Sequence, residues 1–410
     1  MKRLLFTLFC FATLAQAQIP TNKREIMQQF LSGTLDEEYV PAAFFMHFGK
    51  DARIGEKAID AHLRYFLSTG MDFVKIQFEQ GYGRIRIDKS EDWEQIKPLP
   101  ADFFTPTLEI VKGIYDIAGA NAMILPTVYS PFQMLIQSVG AKTVMAYAQT
   151  EPERVKKALE YFTEAIIRYV IACKNIGVDG FYTPTQGGES KFYIIPGFFE
   201  TFVKPYDIRV MQECNDGTLF NILHICDYEG KYDDLTRFVS YPGQIINAPC
   251  EVADQTFSLQ ACEQLFKRPA MGGLYRKGVI LEGSSDEVAK EIYELKKSLK
   301  GKRFIEIKLP EKIGSSHMDK QGRAWIRAAV TGDLSSCLAV RGIRTNCIRL
   351  ISQNGDGTPL PAGTIQGIKE PDERIESVTQ PLSGFGGLPK QQLGWLCDKL
   401  HASVTVTVPS

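Results

Sequence analysis

Neither sign of charge is in excess. Forty-seven Lys and Arg stand against 48 Asp and Glu, a formal net charge of −1. No global basic footprint therefore points to nucleic acid or to a membrane surface, and any anion site must be local. The 9 cysteines include no CxxC pair and no compact framework of spacings. No GxGxxG opens a helix after a strand and no GxxxxGK[ST] occurs, which removes support for a nucleotide-binding open sheet. Beyond the first residues, no apolar stretch is long enough to span a bilayer.

What is present is a chain of 410 residues, 44% hydrophobic and 23% charged, a balance that can bury a sizeable core. Its length suits one large barrel with an appendage. Lys2 and Arg3 precede an apolar run, Leu4 to Leu14, and Ala15-Gln16-Ala17 follows as a small-x-small cleavage site. This pattern predicts a signal peptide over 1–17, a mature chain from Gln18, and export to a periplasmic or secreted location. The run is too short to anchor the chain across about 30 Å of hydrocarbon. An oxidising compartment permits disulfides, including one through Cys226. Cys173 and Cys262 sit in helix-like apolar patterns that favour core packing.

Short apolar runs alternate with longer amphipathic segments, the order of βα units around a parallel sheet. The expected strands are Ala42–Phe48, Phe73–Glu79, Ala122–Tyr129, Gly180–Thr185, Leu219–Ile225, Gln244–Cys250, Pro269–Leu274 and Arg303–Leu309. Helices are expected over Glu56–Ser68, Thr107–Ile117, Asp233–Phe238, Leu259–Phe266 and Ser285–Leu299. A long helical region, Phe132–Ile176, is interrupted near Thr150, a candidate N-cap, and Pro152, a candidate first helical residue. Eight strands with intervening helices give an α/β fold, a (β/α)8 TIM barrel. The division is a signal peptide (1–17), an N-terminal lead-in (18–39), the barrel (40–310) and a divergent, partly irregular, flexible C-terminal extension (311–410).

Catalytic groups of such a barrel come from the carboxyl ends of its strands and the loops that follow. His47, Lys50, Arg53, Gln77, Glu79, Arg84, Arg86, Tyr129, Gln186, His224, Cys226, Cys250 and Arg276 all fall there. Guanidinium forks at Arg53, Arg84, Arg86 and Arg276 suit a carboxylate or phosphate ligand; each taken alone is better explained as a solvated loop charge. His224 and Cys226 alternate along one strand, so both can face the barrel mouth, and imidazole with thiolate suits zinc. A satisfied histidine and a buried thiol explain the pair as well. A zinc site needs a third or fourth ligand, for which Cys250 is the nearest chain candidate. His47 can act as a general acid or bind a carboxylate. Gln186 with the two glycines after it fits close backbone approach to a ligand, or a plain βα turn.

Gly177-Val178-Asp179-Gly180-Phe181, Thr185-Gln186, Pro205-Tyr206-Asp207, Asn221-Ile222-Leu223-His224-Ile225-Cys226, Asn247, Met271-Gly272-Gly273-Leu274, Gly278-Val279 and Gly283 occur in this order. In these residues the chain, from about 40 to about 305, resembles the uroporphyrinogen decarboxylase family, which includes the cobalamin-linked methyltransferases. The resemblance implies a (β/α)8 barrel. It also implies a carboxy-lyase acting on a carboxylate-rich tetrapyrrole or related anionic substrate. No cofactor is required for that reaction. His47, His224 and Tyr129 are then the catalytic candidates, Tyr129 by position only. Arg53, Gln77, Arg84, Arg86, Gln186 and Arg276 are the substrate-binding candidates. The zinc-dependent methyltransferase branch implies zinc on His224 and Cys226, together with a corrinoid and a corrinoid protein as partner. That branch carries a cysteine after strand eight, where this chain reads Glu306-Ile307-Lys308-Leu309-Pro310. Two further expectations are a homodimer and, as an alternative to catalysis, an exported binder of porphyrin or corrinoid.

Overall fold

A computed structural model of the chain describes residues 22–36, 39–45, 47–275, 278–299 and 304–306. Helix α1 (Lys23–Ser32) leads, and α2 (Gly55–Thr69) precedes strand β1 (Phe73–Ile76). Next come α3 (Thr105–Ala118), β2 (Met123–Pro126) and three consecutive helices, α4 (Pro131–Val139), α5 (Ala141–Thr150) and α6 (Pro152–Ile176). Strand β3 (Tyr182–Thr185), helices α7 (Phe198–Phe202) and α8 (Lys204–Asn215), and strands β4 (Ile222–Ile225) and β5 (Ile245–Asn247) follow. The small hairpin β6 (Glu251–Val252) and β7 (Gln255–Thr256) leads to α9 (Leu259–Phe266) and β8 (Ala270–Gly272). The last described elements are α10 (Val279–Glu282), α11 (Ser285–Ser298) and β9 (Phe304–Glu306).

The local causes are visible in the sequence. Residues of β1 to β4 are buried at every position, as strands covered on both faces must be. Helix α6 buries Val155, Ala158, Leu159, Phe162, Ile166, Tyr169, Val170 and Cys173, a stripe at helical spacing that faces the core. Pro152 opens it and Gly177, with φ 106°, closes it.

All the major strands are parallel. β1 pairs with β2, and β3 pairs through β4, β5 and β8 to β9. A parallel bridge, Thr127 to Tyr182, joins the two sets. The extended segment 39–45 lies beside β1, where the Asp72 N–H donates to the Ala42 carbonyl at 2.9 Å. Strand order thus follows chain order, as in a (β/α)8 barrel. Among the described residues no ladder pairs β9 with the 39–45 segment.

Ring contacts show that this sheet is curled. In a flat sheet, groups three strands apart stand about 14 Å from each other. Phe45 and Tyr182 are three positions apart, yet their ring centroids lie 5.1 Å apart. Phe73 on β1 and Phe220, just before β4, approach to 4.9 Å. The inward side chains therefore meet across the concave face of a curled parallel sheet, the α/β architecture expected.

Helix α1 closes the end of the barrel where the strands begin. Lys23 Nζ donates to the Gly70 carbonyl at 2.8 Å and to Asp72 at 3.1 Å. The Arg24 guanidinium forks onto both carboxylate oxygens of Asp179, at 2.5 and 2.9 Å, and its Nε donates to Gly119 O at 2.9 Å. The lead-in is thus a plug that ties together the starts of β1, β2 and β3.

Several local expectations are corrected. Ala42–Phe48 is not a full strand. Only Ala42 bridges, because its N–H donates to the Asp72 side chain at 2.6 Å in place of a ladder partner. The long region Phe132–Ile176 breaks at Gly140, whose φ of 92° suits glycine, and at Glu151. Thr150 is not the N-cap of α6. It ends α5, and its hydroxyl donates to Ala146 O at 3.2 Å. The helix expected over Asp233–Phe238 shrinks to one 3-10 turn, Thr236–Phe238, because the Asp234 side chain bonds the Thr236 hydroxyl. Strand eight is described at Phe304–Glu306. The signal peptide (1–17), residues 307–310 and the extension (311–410) lie outside the described residues, as does Arg276.

Candidate active site

Following the first extended segment, the chain turns back over the end of β1. There His47 Nδ1 lies 2.9 Å from Glu79 Oε1, and the Phe48 N–H donates to the same oxygen at 3.2 Å. Arg53 Nε stands 3.4 Å from Glu79 Oε2 and donates to the Phe48 carbonyl at 3.1 Å. The carboxylate is 6% exposed and the imidazole 24%. A carboxylate can only accept, so Nδ1 carries the proton of this bond and Nε2 is the nitrogen left for a ligand. Behind the pair, His62 is purely structural. Its Nδ1 donates to Ala58 O at 2.7 Å, and its Nε2 accepts from the Gln77 N–H at 2.9 Å. Burial pushes its pKa down to about 4, so it stays neutral.

The barrel interior holds a second polar cluster. Lys75 Nζ donates to Gln77 Oε1 at 2.7 Å and sits over the rings of Tyr182, at 4.5 Å, and Phe45, at 4.8 Å. The Tyr182 hydroxyl donates to Asn247 Oδ1 at 2.9 Å, and Asn247 Nδ2 donates to Met271 O at 2.9 Å. His224 stacks on Tyr182 with centroids 5.2 Å apart, and its Nδ1 lies 3.2 Å from Asn247 O. Gln186 Nε2 donates to Cys226 Sγ at 3.8 Å. Gln77, Gln186, His224 and Cys226 are all buried.

A third group lies behind β3. Asp207 accepts from the Thr185 hydroxyl at 2.5 Å and from the Tyr241 hydroxyl at 3.2 Å. Glu189 accepts from the Gly187 N–H at 2.6 Å. Burial pushes each carboxyl up to about 7.

The structure thus brings His47 and Arg53 together on Glu79, and sets Gln77, Gln186, His224 and Cys226 along the strand ends. Tyr129, at the end of β2, packs on Phe78 with centroids 5.1 Å apart. Arg84 and Arg86 lie on an exposed stretch, and Arg86 pairs with Asp88 at 2.7 Å. Among the described residues, no three His, Cys, Asp or Glu side chains gather as a metal site. Among the described residues no disulfide joins Cys173, Cys214, Cys226, Cys250 or Cys262. Cys250 contacts Leu274 O at 3.9 Å, and burial pushes its thiol up to about 11. Sequence reasoning missed the parts played by Glu79, Lys75 and Asp207. Glu79 and Asp207 carried a signal, a strand-end position and a family motif, whereas Lys75 looked like an ordinary strand residue.

Comparison with known proteins agrees with this architecture. The family model for uroporphyrinogen decarboxylase (URO-D) matches residues 69–305, more than half of the chain. No curated protein matches the sequence. Among solved structures, a methyltransferase from Methanosarcina mazei is similar at 15% identity and a TM-score of 0.60, covering 76% of this chain and 98% of that one. A B12-independent methionine synthase from Shewanella sp. W3-18-1 is similar at 13% identity and a TM-score of 0.37, covering 54% of this chain and 65% of that one. An N-acetylneuraminate lyase from Fusobacterium nucleatum reaches 11% identity and a TM-score of 0.37, covering 89% and 98%. The Methanosarcina likeness shows a shared fold.

Proposed function

The chain belongs to the uroporphyrinogen decarboxylase family, and from that premise we propose that it is a carboxy-lyase-type enzyme acting on a carboxylate-rich tetrapyrrole or a related anionic substrate. The observation that carries this reading is the His47–Glu79 pair, 2.9 Å apart at the end of β1. In decarboxylation the electron pair of the breaking carbon–carbon bond stays on the substrate carbon, which takes up a proton as carbon dioxide leaves. A donor must stand where that charge develops. Glu79 holds His47 through Nδ1, which leaves Nε2 to deliver the proton. Arg53, on the same carboxylate, and the interior cation Lys75 are the groups suited to hold substrate carboxylates. Export from the cytoplasm belongs to the same proposal, since Ala15-Gln16-Ala17 fits a cleavage site.

A second reading, corrinoid-linked methyl transfer, is favoured by the buried pair of His224, on β4, and Cys226, just after it. Two described donors do not make a zinc site, so no step is derived through the metal.

The test is a screen of carboxylated tetrapyrroles and corrinoids by absorbance, followed by product mass. The reading expects loss of carbon dioxide from a bound tetrapyrrole. His47→Ala should then lower kcat by roughly 100- to 10,000-fold. Binding without turnover would make the protein a pigment carrier. Stoichiometric zinc that is lost in His224→Ala would favour methyl transfer. Binding of no tetrapyrrole would end the proposal.

A further inference from the structure

Between the loops that follow β3 and β4 lies a cavity of about 120 Å³, lined among others by Gly187, Tyr193, Phe198, Phe199, Glu200 and Arg237. A single water needs only about 10–15 Å³. We propose that this cavity is a binding site for a small monocarboxylate with a planar apolar body, and that Arg237 receives the carboxylate. The proposal goes beyond the decarboxylase reading and holds whichever reaction the barrel mouth performs.

Arg237 is the centre of the argument. Its guanidinium carbon lies 4.3 Å from the Tyr193 ring centroid and 4.9 Å from that of Phe199. Stacking on the two rings accounts for where the group sits. It does not account for its N–H donors. Arg237 Nε is buried, and no described residue accepts from it. No described carboxylate comes within ion-pair distance of Arg237, although 15 ion pairs form elsewhere in the described chain. A buried donor without an acceptor costs about 1–3 kcal/mol. A carboxylate accepting the fork would remove that cost.

The surroundings are set for such a ligand. The Tyr193 hydroxyl donates to Gly188 O at 3.0 Å, which fixes its ring. Phe199 is held by Phe238, with centroids 5.1 Å apart, and by Tyr241, at 6.2 Å. The guanidinium is thus presented between two fixed rings, and little side-chain freedom remains to be lost on binding. Aromatic walls suit a flat apolar body. Glu200, exposed at the rim, sets an opposing charge. It tolerates one ligand charge better than two, so a monocarboxylate is preferred to phosphate.

The test is titration of the full chain with benzoate, benzamide and inorganic phosphate, followed by ligand-observed NMR and calorimetry. Saturable benzoate binding is expected, with benzamide and phosphate weaker by about tenfold or more. Arg237→Gln should weaken benzoate by a similar factor without lowering Tm. Glu200→Gln, at an exposed position, should tighten benzoate severalfold, and it keeps the proposal testable if Arg237→Gln fails to fold. Equal binding of benzamide, benzoate binding unchanged by Arg237→Gln, or no tightening in Glu200→Gln would overturn the proposal.

Discussion

Asp207 is fully buried, with two hydroxyl donors on one oxygen and no hydrogen-bond partner on the other. Burial raises its carboxyl from 3.8 to about 7. Between those values the folded chain holds a proton that the unfolded chain has released. Stability from this group is therefore fully present below about pH 4 and is lost as pH rises through about 7. Glu189 acts in the same direction, raised from 4.5 to about 7 by burial. Asn at position 207 can place its carbonyl oxygen between the Thr185 and Tyr241 hydroxyls and carries no charge at any pH. Asp207→Asn should therefore flatten the decline in Tm between pH 5 and pH 8 relative to the parent, and should stabilise the protein at pH 8. Thermal melts of both proteins across that range decide it. An unchanged slope would mean that Asp207 is already ionised at pH 5. Such effects are hidden in the sequence. Asp207 was legible only as part of Pro205-Tyr206-Asp207, and its partners come from β3 and from a loop after β4. His47, Gln77, Gln186 and His224 could be picked out because a strand-end polar residue has few other uses. The bond from His47 to Glu79 joins residues 32 positions apart, which no local spacing reveals.

Helix α1 gives the element scale its test. Asn22 caps it, accepting from the Arg24 N–H at 2.9 Å, and the helix then delivers Lys23 and Arg24 to the strand starts. The Arg24–Asp179 pair is bidentate, and the carboxylate is 6% exposed. Removal of the guanidinium leaves Asp179 with the Ile124 N–H, at 2.9 Å, as its remaining donor in this set. Arg24→Ala should destabilise the chain by about 3 kcal/mol, and Arg24→Lys by less, since lysine keeps the charge but loses the fork. Urea titration measures both, and a loss below about 1 kcal/mol would make α1 a loosely attached arm. Elements of this kind were legible to different degrees. Helices α2, α3, α9 and α11 declared themselves as amphipathic segments; the structure adds caps such as Ser284, which accepts from the Glu287 N–H at 3.3 Å. Apart from Ala42–Phe48, the strands observed as β1 to β5 and β8 were placed correctly but drawn too long, because apolar residues run past the last paired position. Leu219 is 64% exposed although it opens the apolar run of β4. Helices α7 and α8 were missed, although Phe198, Phe199, Phe202 and Val203 repeat at i,i+4 spacing, because α7 is a single short turn of Phe198–Phe202 and α8 carries few apolar residues. The β6–β7 hairpin was missed as well. Its turn residues, Ala253 and Asp254, adopt φ of 51° and 57° without the glycine that normally marks such a turn.

At the scale of the whole molecule, enclosure of the interior is the property on which the site depends. Only a curled sheet brings side chains from the first segment, β1, β3, β4 and β5 to one place, and strand count alone does not enforce it. Phe73 and Phe220 test this directly. Both rings are wholly buried, edge to face at 82°, and their strands are separated by two others. In a curled sheet the pair is in contact, so Phe73→Leu and Phe220→Leu should couple by about 0.5–1.5 kcal/mol in a double-mutant cycle. In a flat sheet at about 14 Å separation the two losses would add within about 0.5 kcal/mol. Leucine is chosen over alanine because it keeps most of the volume, which limits cavity costs that would otherwise swamp the coupling. A control cycle pairs Phe73 with Phe266, which lies on α9. Additivity there, together with coupling between Phe73 and Phe220, would tie the interaction to the barrel interior. Additivity in both cycles would unroll the sheet and separate His47 from His224.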